Sequence, residues 1–94
     1  MKRKDTCDIY YCVRNHPGGI EALADSCRLL LVHESGTAGY RFIAEKFGAV
    51  DGFGPTCVRQ FVEDGEILGN RTPDQWQQDA FSRVNAWLLS LIHI

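Results

Sequence analysis

Apolar residues along this chain recur mostly at helical spacing. Ile20, Leu23, Ala24, Cys27, Leu30 and Leu31 fall at i, i+3, i+4, i+7, i+10 and i+11, a one-sided stripe that predicts a helix from Ile20 to about His33. Within it LLLV at 29–32 is too apolar for an exposed turn, so this segment, as helix or as a short strand, is expected to be the most buried. Ser35-Gly36 interrupts the stripe. Thr37 is then placed to cap a helix whose apolar face is Tyr40, Ile43, Ala44 and Phe47, with Gly48 as its C-cap.

Punctuation divides the rest of the chain in the same way. Asp5 or Thr6 caps a first helix running through Tyr10, Tyr11 and Val13 to about Asn15. His16-Pro17-Gly18-Gly19 ends it, because the residue before proline leaves the α region and the glycines let the backbone reverse. After Phe47 the turn AVDGFG carries Val50 and Phe53 as expected core plugs, and Pro55 and Gly65 bracket a helix over 55–64. The connector EILGNR follows, in which Ile67 and Leu68 could form a short wing turning at Gly69-Asn70. Thr72-Pro73-Asp74-Gln75 has the capping-box form T-x-x-Q with proline at the first helical position. The helix it starts has the stripe Trp76, Ala80, Val84, Trp87 and Leu88; tryptophans on one helix face are read as core.

These elements predict an all-α fold: a small bundle of four to five helices over residues 1–88, with a central helix-turn-helix and a short wing at 66–71. The last six residues, LSLIHI at 89–94, match the translation of a transposon end used in sequencing libraries. They are therefore expected to be foreign to the natural protein, which would continue past Leu88, and His93 is set aside. The alternative is a genuine apolar helix end.

Length, composition and charge narrow the picture. A chain of 94 residues with 45% hydrophobic positions makes one small domain that buries roughly two-thirds of its unfolded surface. A formal charge of −2 gives no global attraction to nucleic acid or to an anionic membrane, so any such binding must be local. The basic start MKRK is read as a solvated tail. No apolar stretch reaches the ~20 residues of a membrane span, and no signal peptide is evident; the four cysteines are expected to be reduced, buried thiols of a cytoplasmic protein.

Catalytic and cofactor patterns are lacking. Asp25, His33, Glu34 and Cys57 have no partner at a recognisable spacing, so the chain is not expected to be an enzyme. Cys7, Cys12, His16 and His33 could supply four zinc donors, but the only close pair, Cys7-x4-Cys12, would put its thiols on different sides of a helix, so buried structural thiols are the preferred reading. No cofactor or metal is therefore assigned.

YRFIAEKFG at 40–48 followed by TCVRQFVEDGEIL at 56–68 resembles the helix-turn-helix of bacterial and phage transcription regulators, particularly winged-helix ones. Ala44 would let the two helices approach, and Ile43, Phe47, Val58 and Phe61 would lock their angle. The resemblance implies that the helix at 55–64 enters a DNA major groove, with Thr56, Arg59 and Gln60 facing the bases and Arg41, Lys46 and Arg71 holding phosphates. This chain departs from the pattern in a longer turn, with a DGFGP insertion, and in the acids Glu63, Asp64 and Glu66. Upstream, DIYYCVRNHPGGIEALAD at 8–25 resembles the opening of phage lysogeny regulators of the CII-like type, and then the likeness stops. HPGG also resembles the heme-ligand motif of cytochrome b5-like domains, but the surrounding pattern is missing. The expected function is a DNA-binding regulatory module of phage or mobile-element origin, with double-stranded DNA as partner and a homodimer left open. Its rival is a helical protein-interaction domain without nucleic-acid binding, which the acidic charge balance suits.

Overall fold

The computed structural model describes residues 3–92 and is a bundle of α-helices, as the sequence predicts. Helices α1 (Arg3–Asn15), α2 (Gly19–Cys27), α3 (Glu34–Lys46), α4 (Phe53–Asp64) and α5 (Pro73–Ile92) follow in order, with a 3₁₀ segment, Arg28–Val32, between α2 and α3. Met1, Lys2 and His93, on which the tail and His93 readings fall, lie outside the described residues.

α5 is the axis of the bundle. Its stripe Trp76, Ala80, Val84, Trp87 and Leu88 is buried as expected, and Leu91 extends it by a further turn. α1, α2 and α4 all pack on it, and the core joins Tyr10 and Val13 of α1, Ala24 of α2, Phe47 of α3 and Val58 and Val62 of α4. The capping box forms in full: the Thr72 amide donates to Gln75 Oε1 at 2.8 Å and the Gln75 amide to Thr72 Oγ1 at 3.2 Å. Leu89–Ile92 continue the helix, with Leu91 buried and Leu89 and Ile92 exposed.

Local expectations fail where neighbours impose a different path. α1 begins at Arg3, so Asp5 and Thr6 lie inside it and Thr6 is buried. The LLLV segment is largely exposed: Leu29 retains 77% and Val32 79% of its accessible surface, and only Leu31 packs against the core. Four successive helical positions point all round the axis, so one stripe cannot bury them all. α3 also starts before the expected break, and Ser35-Gly36 lie within it. A Cβ on Gly36 would sit 1.8 Å from the Leu30 carbonyl oxygen, so glycine is what lets the 3₁₀ segment cross the helix. Thr37 lies inside α3, where its hydroxyl donates to the Leu31 carbonyl at 3.0 Å.

The turn after α3 is plugged by Phe47, fully buried, rather than by Val50 and Phe53, which are exposed. Gly54 lies against Phe47, where a Cβ would come within 2.8 Å of the ring, so α4 starts over that ring at Phe53, two residues before Pro55. The expected wing does not form. Glu66 adopts φ 55°, the Ile67 amide donates to the Val62 carbonyl at 3.1 Å, and 66–68 close off α4 instead of extending as a strand. Of the cysteines, Cys7 and Cys57 are buried as expected, whereas Cys27 is half-buried and Cys12 exposed.

Candidate functional site

The helix order around 34–64 is helix, turn, helix, but α3 and α4 meet only near the turn that joins them. α3 lies mainly on the 3₁₀ segment, and α4 packs on α5 and α1. The inner face of α4 is Gly54, Pro55, Cys57, Val58 and Val62; Thr56 and Arg59 sit at its edge, and Gln60, Glu63 and Asp64 face solvent. The exposed side of this helix is therefore acidic in its last turn, after Gln60 and Phe61.

Arg59 is tied within the fold. Its Nε donates to Glu63 Oε1 at 3.0 Å, and its Nη1 donates to the Asp74 carboxylate and, at 3.1 Å, to Gln77 Oε1. Hydrogen bonds to Glu63 and then Asp74 raise the guanidinium pKa above its ordinary value. Gln77 in turn donates to the Val50 carbonyl at 2.8 Å, so one polar chain links α4, α5 and the turn before α4. Lys46 extends its Nζ over the rings of Phe42 at 5.3 Å and Phe53 at 5.2 Å, while Arg41 is exposed on α3.

Arg71 belongs to a different cluster. Its guanidinium lies 5.0 Å from the Trp76 ring centroid and 3.4 Å from Asp79 Oδ2. Asp74 and Trp76 are two residues apart on α5, roughly 200° around its axis, so Arg59 and Arg71 are anchored to different sides of that helix. The structure thus groups Thr56, Arg59 and Gln60 on α4, sets Lys46 over Phe53 at the start of that helix, and holds Arg71 in a separate cluster.

A polar cluster also gathers around Trp76, and the sequence reading did not single it out. The Tyr10 hydroxyl donates to Asp79, and the Tyr10 ring meets Trp76 edge-on at 6.4 Å. Arg14 lies 4.6 Å over the Trp76 ring, and the Trp76 indole N–H donates to the Leu68 carbonyl at 2.9 Å. Burial, reinforced by the Asp79 carboxylate, pushes the Tyr10 hydroxyl far above its ordinary pKa. For Asp79 burial alone would raise the pKa, but hydrogen bonds from Tyr10 and Arg83 and the charges of Arg83 and Arg71 outweigh it, holding the carboxyl below its usual range.

No known family, curated sequence or solved structure matches this chain. Among the described residues no three His, Cys, Asp or Glu side chains are grouped to hold a metal, and no helix is long and apolar enough to cross a membrane.

Two of the apolar hollows among the described residues stand out. The first, about 230 Å³, lies between the 3₁₀ segment, α3 and the end of α5, lined by Leu30, Leu31, Tyr40, Ile43, Trp87 and Leu91. Leu29 and Val32 stand exposed on the same segment that forms its wall, and the Trp87 indole N–H has no acceptor among the described residues. The second, about 290 Å³, separates α1 from α4 and is walled by Tyr10, Tyr11, Phe61, Ile67 and Trp76, with Arg14 also lining it. A sequence signal for the first existed in the apolar run LLLV, whose Leu30 and Leu31 line it.

Proposed function

We propose that this chain is a helical protein-interaction domain that associates with a second copy of itself through the 3₁₀ segment and the hollow beside it. The observation that supports this is the exposure of Leu29, Leu30 and Val32 next to a concave apolar wall. Exposed apolar surface of this kind marks association sites. A protruding ridge beside a groove also supplies both halves of a two-fold interface, in which each copy's ridge meets the other's groove.

Recognition of double-stranded DNA by α4 has less geometric support. Arg59 would have to leave Glu63 and Asp74, and the exposed Glu63 and Asp64 would approach phosphates. Sedimentation equilibrium from micromolar to millimolar concentration tests the proposal. A monomer–dimer equilibrium that persists at high salt is expected, because apolar association does not rely on charge. The Leu29→Glu, Val32→Glu variant is expected to remain monomeric. A monomer throughout, or an unchanged equilibrium in the variant, would refute the proposed surface; salt-sensitive capture of duplex DNA would favour the regulator reading.

A further inference from the structure

The cleft between α1 and α4 is distinct from the proposed self-association surface and has a different chemistry. Tyr10, Tyr11, Phe61 and Trp76 give it aromatic walls, Ile67 also lines it, and among the described residues no aspartate or glutamate does. Among the described residues, the single charged group on its lining is Arg14. That guanidinium lies over the Trp76 ring, 4.6 Å from its centroid, and makes no ion pair among the described residues, whereas Arg71, on the same ring, faces Asp79. An arginine over an aromatic ring with no carboxylate partner of its own can offer its N–H groups to a ligand carboxylate. At about 290 Å³ the cleft stands at the small end of ligand pockets, which suits a single-ring guest rather than a large cofactor.

We propose that the α1–α4 cleft binds a small aromatic carboxylate, its ring between Tyr11, Phe61 and Trp76 and its carboxylate on Arg14. The aromatic walls supply stacking and edge contacts, and the charge-assisted hydrogen bond selects the acid over a neutral analogue. The site does not depend on dimerisation, and its residues are not those of the 3₁₀ surface.

The test is a titration of the full chain with phenylbutyrate and, separately, with phenylbutanol, followed by amide and indole N–H chemical shifts. Saturable shifts are expected at the Trp76 indole and at Tyr11 and Phe61, while the Trp87 indole does not move. The acid is expected to bind about tenfold or more tightly than the alcohol, and Arg14→Gln to remove that difference. Absence of saturation at millimolar probe, equal binding of the two probes to the unaltered chain, or an acid preference that survives Arg14→Gln would each overturn the proposal.

Discussion

Arg59 of α4 and Asp74 in the first turn of α5 form an ion pair that joins the two helices. The same arginine holds Glu63, one turn along α4, so the side chain that the sequence led one to expect at the bases is engaged by partners within the chain. Asp74 is mostly exposed, which makes the pair a clip between helices rather than a buried network. The pairing predicts coupling. Arg59→Ala and Asp74→Ala are each expected to lower the thermal midpoint slightly, and the double variant by less than their sum. Strictly additive shifts in a double-mutant cycle would show that the two side chains do not interact.

The two tryptophans of α5 separate hydrogen bonding from packing. Trp76 donates to Leu68 and carries two guanidinium groups on its ring, whereas the Trp87 N–H has no acceptor among the described residues. Trp76→Phe leaves a carbonyl without its donor and weakens both ring contacts, and should cost about 1–3 kcal/mol. Trp87→Phe removes an unsatisfied donor along with some volume and should cost about 1 kcal/mol less than its counterpart. Urea denaturation of both variants decides, and a larger loss for Trp87→Phe would contradict this account.

Stability should depend on pH through the Tyr10–Asp79 hydrogen bond. The folded pKa of Asp79 lies below its unfolded value, so its contribution is present above the ordinary carboxylate range and is lost as pH falls through the folded value. Tyr10 is shifted upward, so its contribution is present below the ordinary phenol pKa, near 10, and is lost only in stronger alkali. Asp79→Asn is expected to lower stability at neutral pH and to flatten the acid limb. Denaturation midpoints measured across acid pH check this; an unaltered acid limb would show that Asp79 is not the group responsible.

Gly36 and Gly39, both in α3, should respond oppositely to alanine. Gly36→Ala drives a methyl into the Leu30 carbonyl and is expected to destabilise by about 1–3 kcal/mol. Around Gly39 nothing lies within 4 Å of an added Cβ, so Gly39→Ala should be neutral or stabilise by up to ~1 kcal/mol through helix propensity. Thermal midpoints of the two variants give the comparison. Equal effects would mean that the 3₁₀ segment does not cross the helix at Gly36.

Elements with local causes were legible in the sequence. Thr72-Pro73-Asp74-Gln75 specifies its own cap, and Trp76 to Leu88 specifies its own face, because both depend on residues within a few positions of one another. His16-Pro17-Gly18-Gly19 likewise breaks the chain where expected, with Gly18 at φ 87° and Gly19 at φ 86°. What was not legible depends on distant neighbours. Periodicity carries Cys27 into Leu30 and Leu31 without showing that the backbone tightens there, and Gly36 looks like a breaker until the Leu30 carbonyl is seen beside it. Of the candidate site, the Arg59–Glu63 spacing is visible as i, i+4, but Asp74 is fifteen positions away and joins them only through the α4–α5 contact. Arg14, Tyr10 and Trp76 meet across the bundle in the same way.

Amide chemical shifts recorded through a dilution series of the unaltered chain test the central claim most directly. Self-association through the 3₁₀ surface predicts concentration-dependent shifts at residues 29–32 and 36–43 and at the Trp87 indole, with Gln60, Glu63 and Asp64 of α4 unmoved. Shifts confined to α4, or none at any concentration, would contradict it.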